Sequence, residues 1–437
     1  MATREPADEE LEAFFAAGER RRRDRGRTRR RVGTRMPHAG WRERPRPGAE
    51  LVALWTTPGG RVLAALCGVV LVVTLVGLVA LWPAEVKSSD AGGFGGPSQA
   101  ATVTASRIVA CPGPTGQRCR QITAEVDGTA QRMTLGPLGG ITPSPDPGSA
   151  IRVTRIPDFP GVPSPAERWS YSGVDRRGGL AWLALGLVVV AVVTLRVRGA
   201  LAALGVVASV GLVVAFLIPA MLAGQPAVPV ALVCALAVTF VTVGLTHGLT
   251  APSLAAVLGV TTTLVLSAAL AELAVGLVAL DGRSSELAGF LNQQRSDVSL
   301  QGVVLAGMLI GALGVLADTA VTQSSAVVAL RRADGRMGAR ALYRGAIAVG
   351  RDHLAATIHT LVLAYVGTAL PLLLVLRSSG VGVTDALNAQ DIAEPIAATI
   401  VGCLALIAAV PLTTALAAFL VARTPADALG DGHGHVH

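Results

Sequence analysis

Residues 301–332 read "QGVVLAGMLIGALGVLADTAVTQSSAVVALRR", and the character of the whole chain turns on them. The opening, "QGVVLAGMLIGAL", is apolar enough to sit in lipid. Asp318 then appears, followed by Thr319, Thr322, Gln323, Ser324 and Ser325, before Arg331 and Arg332 close the run. A hydrocarbon core needs about 20 apolar residues per helix, so the stretch predicts a membrane helix with a polar inner half. An ionised side chain near the bilayer centre costs about 2.5–3.5 kcal/mol on insertion scales, so such groups turn towards protein or trapped water.

The same apolar pattern recurs on both sides. Candidate spans run over Val62–Trp82, Gly179–Leu195, Ala200–Leu222, Ala227–Leu245, Ser253–Leu280, Gln301 towards Leu330, Leu354–Leu376 and Pro395–Val421. The expected fold is therefore an all-α polytopic membrane bundle of about eight helices. Composition agrees: of 437 residues 51% are hydrophobic and only 15% charged, where a soluble chain carries about 25% charged. The long segment before the first span, and the length of that span, favour an uncleaved anchor over a secretory signal.

Five segments follow. Residues 1–60 form an Arg-rich cytoplasmic tail, 61–82 the anchor, and 83–177 a small extracytoplasmic β domain with its linker. Residues 178–422 form a seven-helix membrane domain and 423–437 a His-containing cytoplasmic tail. The net charge of +8 is concentrated at "RRRDRGRTRRR" near the start. With no aromatic or groove-reading elements beside it, this run predicts a solvated tail near anionic lipid, and nucleic acid is not an expected partner. Arginine sets orientation: Arg196, Arg198, the run Arg331–Arg351 and Arg423 fall on one side with both termini, which is expected to be the cytoplasmic side. The runs "TVTASRIVA", "RQITAEVD", "AQRMTLG" and "SAIRVTRI" alternate like strands between Gly and Pro clusters, and predict a compact barrel with room for a protein partner. Cys111 and Cys119, on the outer side, are candidates for a local disulfide.

Few residues at membrane depth carry chemistry: Glu272 in the fifth span, Asp318 in the sixth, and His359 in the seventh, with Asp352 and His353 at its entrance. Asp318, Thr322 and Ser325 lie at i, i+4 and i+7 and share a helix face; Thr319 and Gln323 form the adjacent stripe. Asp352 and His359 share a face of the seventh helix, with His353, Thr357 and Thr360 on the next. If the sixth and seventh helices face each other, these stripes line a hydrated vestibule for an ion or a small solute. The bland reading is hydrogen bonding between packed helices. Gly307 and Gly311, with Gly314 close behind, are expected to admit a close neighbour. At the C-terminus His433, His435 and His437 alternate as a weak metal-binding pattern. No HExxH, GxSxG or Walker A sequence is present, so no catalytic motif points to an enzyme, and the motifs leave any cofactor open.

"LGVLADTAVTQSSAVVAL", "YRGAIAVGRDHLAATIHTLVLAYVGTALPLLLVL" and "LIPAMLAG" resemble the YibE/F-like family of multi-pass bacterial membrane proteins, over roughly residues 170–422. The Arg-, Ala- and Val-rich style resembles an actinobacterial member. The resemblance implies an inner-membrane protein without a known activity, and motif positions Asp318, Thr322, Gln323, Gly350, Arg351, Asp352, His353, Thr360, Tyr365 and Pro371. Ala317 stands where members often carry a second acid, and His359 where Asn is common, which argues against a paired-carboxylate metal site. The expected function is a secondary transporter or permease with its polar site between the sixth and seventh helices. The alternative is a sensor or assembly protein whose outer domain binds a partner.

Overall fold

In a computed structural model of the protein, the described residues are 57–83, 98–111, 117–138, 143–156, 167–248, 250–283 and 298–424. Eight helices are long and apolar enough to cross a membrane: α1 (Pro58–Ala80), α2 (Arg177–Leu195), α3 (Val197–Leu222), α4 (Ala227–His247), α5 (Ala251–Val278), α6 (Leu300–Ala333), α7 (Ala339–Ser378) and α8 (Gln390–Val421). The chain is a multi-pass membrane protein, with a small antiparallel sheet between α1 and α2. Local chemistry sets several helix starts. The Thr57, Thr250 and Ser299 hydroxyls accept amides of the first turns of α1, α5 and α6, and Pro58 and Pro252 occupy first-turn positions that need no amide hydrogen.

Two helices differ from the sequence expectation. The basic run Arg331–Arg351, expected as a loop, is helical except for residues 334–338. Loss of apolar residues ends the membrane window but not the helix, because Ala, Arg and Leu are strong helix formers. Arg331 ties this hairpin down: its guanidinium donates to Met337 O at 2.7 Å and to Ala422 O at 3.3 Å. In α3, Pro219 lacks an amide hydrogen, and just before it the turn Val213–Leu217 widens to π geometry, with Ile218 N donating to Val213 O.

Three buried clusters stack along the bundle. At the arginine-rich end, α1 and α5 (Leu63, Ala255) meet α6, α7 and α8 (Val327, Leu342, Leu420). The middle holds Leu264, Leu309, Leu316 and Leu406. The opposite end joins Val275, Met308 and Val401. α5, α6 and α8 form the heart, with alanine at many contacts, which suits lipid, where close van der Waals packing replaces the hydrophobic drive. α2 has no buried residue in its apolar window, and α7 almost none.

The sheet comprises β1 (Gln99–Ala110), β2 (Arg118–Val126), β3 (Thr129–Pro137), β4 (Ala150–Arg155) and β5 (Trp169–Val174), in the order β3-β2-β1-β4-β5. The four runs read from sequence correspond to β1–β4, and β5 joins them. Val103, Ile122, Val126, Met133, Ile151 and Val153 share its core. Glu167, just before β5, accepts the Thr134 amide and hydroxyl on β3, each at 2.7 Å, so the two edges meet and the sheet is rolled towards the expected barrel. Cys111 and Cys119 are bonded, closing the β1–β2 hairpin. Closing a loop of this length removes chain entropy worth about 2–3 kcal/mol from the unfolded state. Cys111→Ser, or reduction, should therefore lower the unfolding midpoint of the sheet while leaving the helical circular-dichroism signal intact; an unchanged midpoint would contradict this.

Candidate functional site

Asp318 lies midway along α6, about 22 Å by helical rise from its arginine-rich end. Its carboxylate is 69% exposed, and Oδ2 stands 3.7 Å from His353 Nε2 on α7, the His side chain being 34% exposed. That separation is an ion-pair distance and too long for a hydrogen bond. Thr322 and Ser325 continue the stripe and make no hydrogen bond among the described residues.

The wall opposite this stripe is mainly α4. Asp318, Thr322 and Ser325 line a hollow of about 440 Å³ with Thr242, Thr246 and His247. Towards the arginine-rich end it continues into a narrower hollow of about 240 Å³, where Arg198 of α3 and Thr250 and Ser253 of α5 join His247 and Ser325. Towards mid-membrane it shares Thr242 and Ala317 with an apolar hollow of about 490 Å³, lined by Val210 and Val213 of α3, Val238 of α4 and Leu313 and Gly314 of α6. The three make one groove between α3, α4 and α6, polar at one end and apolar at the other.

Its hydroxyls are arranged in a run. Thr242 Oγ1 donates to Val238 O and Thr246 Oγ1 to Thr242 O, at 2.8 and 2.7 Å, so both hydroxyl hydrogens are used within the helix and what remains is acceptor capacity. Thr246 Oγ1 also lies 2.6 Å from His247 Nδ1. His247 lines the wider hollow together with Asp318 and the narrower one together with Arg198. Asp318, His247 and Arg198 thus border one groove, with His353 behind the acid, an arrangement whose chemistry can bind a charged group or pass a proton.

Other candidates lie elsewhere. Gln323 is fully buried, and its Oε1 accepts from Thr414 Oγ1 of α8 at 2.9 Å. A Cβ at Gly350 would sit 2.7 Å from that oxygen, so Gly350 is the gap into which the Gln323 amide fits. His359 Nδ1 donates to Ala355 O at 2.7 Å and Thr360 Oγ1 to Ala356 O at 3.1 Å, both within α7 and both on its exposed side. Asp352 is exposed and makes no ion pair among the described residues. Glu272 lines a separate hollow of about 570 Å³ at the opposite end, with Gln225, Ser299 and Gln301. Of the glycines expected to admit a neighbour, Gly311 faces the Tyr365 hydroxyl of α7, whereas Gly307 and Gly314 face open space. His433, His435 and His437 lie outside the described residues.

With the helices, the stripe on α6 and the Gly350 and Tyr365 contacts in place, the comparison with known families is decisive. Residues 183–423 match the family described as YibE/F-like protein. The chain belongs to that family. The YibE/F-like region contains α3–α8 and most of α2, and so the whole groove; α1 and the five-stranded sheet precede it. No curated protein and no solved structure matches the chain.

Within the YibE/F-like region, sequence reasoning missed His247, Arg198, Thr242 and Thr246. His247 falls in "GLTHGLT", at the end of an apolar run and before Gly248, where a polar residue reads as the start of a loop. The available signal was periodic: Thr239, Thr242 and Thr246 recur at helical spacing ahead of it.

Proposed function

We propose that this YibE/F-like protein is a secondary transporter of the bacterial plasma membrane, with both termini in the cytoplasm and the α3–α4–α6 groove as its inward-facing substrate path. One observation carries the reading: Asp318, a carboxylate midway along a membrane helix, is open to a groove and stands 3.7 Å from an imidazole instead of being locked in a helix interface. An intramembrane acid in such surroundings is suited to binding or coupling. Asp318 serves as the coupling carboxylate, His353 of α7 as its proton partner, and Thr322 and Ser325 as neutral ligands.

Two further features support it. The arginine asymmetry of the sequence supports a cytoplasmic polar mouth. Glu272 lines a hollow at the other end, and Leu264, Leu309, Leu316 and Leu406 pack between the two levels. Openings at opposite ends of a packed layer suit alternating access. In the test, vesicles carrying the full chain receive an imposed pH gradient and isotope-labelled bacterial extract. At least one labelled solute should accumulate above protein-free vesicles and be lost when the gradient is collapsed. Equal contents for every solute would overturn the proposal.

A further inference from the structure

We infer that the groove seats a bilayer amphiphile, with its hydrocarbon chain between α3, α4 and α6 and an anionic, phosphate-type headgroup at Arg198. The inference rests on the reading of this groove as the substrate path and names the class of molecule that path takes.

Four observations lead there. First, polarity is graded along one continuous groove: the mid-membrane part is walled by side chains such as Val210, Val213 and Leu313, the arginine-rich end by Arg198, Thr250 and Ser253. A water-soluble solute has no use for the first half, and an uncharged hydrocarbon none for the second. Second, the groove runs along α6 from Ile310 to Ser325, about 22 Å by helical rise, which matches one leaflet with its headgroup, about 20–22 Å. Third, the Arg198 guanidinium has no carboxylate or hydrogen-bond partner among the described residues, while Asp318, the nearby acid, stands against His353. A planar guanidinium with free donors is suited to a phosphate, and the Ser325 hydroxyl, which makes no hydrogen bond among the described residues, adds a donor in the same hollow. Fourth, the floor is cut away: a Cβ at Gly314 would meet nothing within 4 Å, and α3 widens to π geometry at Val213, on the apolar wall.

The test uses full-length protein in phosphatidylcholine vesicles containing a minor fraction of phosphatidic acid with a photoreactive diazirine in one acyl chain. Illumination followed by peptide mass spectrometry should place label on the α3 and α6 peptides that carry Val213 and Gly314. Arg198→Gln should lower that labelling roughly tenfold, as expected for loss of a charge-assisted contact. Gly314→Phe should abolish it, and because that position is open the protein should still fold. The same probe with a choline headgroup should label these peptides several-fold less. Labelling indifferent to Arg198→Gln and to headgroup would overturn the inference. So would disulfide crosslinking of Gly314→Cys between two copies, which would make the occupant a second chain, or displacement of the probe by free inorganic phosphate, which would make it a soluble anion. Labelling without any solute accumulation in the uptake assay would overturn the transporter reading alone; accumulation without labelling would overturn this inference alone.

Discussion

Asp318→Asn protein in vesicles should accumulate at least about tenfold less solute than wild type, because the variant cannot hold the proton that the transporter reading assigns to this carboxylate. The substitution keeps the size and shape of the side chain and removes only its charge and its ability to hold a proton. Asp318 is exposed to the groove and its partner is His353 at 3.7 Å, so no packed neighbour depends on it and the protein should fold as before. His353→Gln should lose less, because the carboxylate remains. His359→Gln should leave accumulation unchanged, since that ring is bonded to its own helix on the exposed side of α7. Wild-type accumulation by the Asn variant, with a normal unfolding midpoint, would remove Asp318 from the transport path.

A large effect on stability is expected at Gly259. On α5 a Cβ there would lie 2.6 Å from both Cγ2 and Oγ1 of Thr413 on α8, and 3.0 Å from its Cβ. Thr413 is fully buried, and a β-branched side chain has few rotamers into which to retreat. The two backbones must therefore separate, and α5–α8 is part of the heart of the bundle. In lipid no hydrophobic gain offsets that separation, because acyl tails are as apolar as the side chains they would meet. Overpacking costs about 1–3 kcal/mol, occasionally more, and Gly259→Val should fall at the upper end, read as a lowered unfolding midpoint in detergent. Gly276 on the same helix is the control, because a Cβ there meets nothing within 4 Å. Gly276→Ala should leave stability unchanged or raise it by up to about 1 kcal/mol through helix propensity. Equal loss at both positions would refute the packing explanation.

The residues brought together and those kept apart show how far one-dimensional reading reaches. The stripe of Asp318, Thr322 and Ser325 was legible, because positions i, i+4 and i+7 share a helix face whatever surrounds them. Gln323, one residue past Thr322, points into the α6–α8 contact, where it bonds Thr414 and fills the gap at Gly350. Nothing in its type separates a ligand from a packing knot. His353 meets Asp318, whereas His359 on the same helix faces away. Glu272 stands in a hollow at the other end of the bundle, so the intramembrane acids do not share one cavity.

The sequence alone determined the eight spans, the inserted sheet and the family. A membrane helix satisfies its own backbone hydrogen bonds, so length and hydropathy fix which stretch can cross the lipid without reference to any neighbour, though not how far the helix continues beyond it. Tertiary structure decided which wall faces the polar stripe: α4 with His247, joined by Arg198 of α3, with α7 contributing only His353. Contacts between helices depend on the rotation of each about its own axis. In lipid that rotation is set by where glycines, alanines and polar side chains let backbones approach, a property of pairs of helices that no single apolar run encodes.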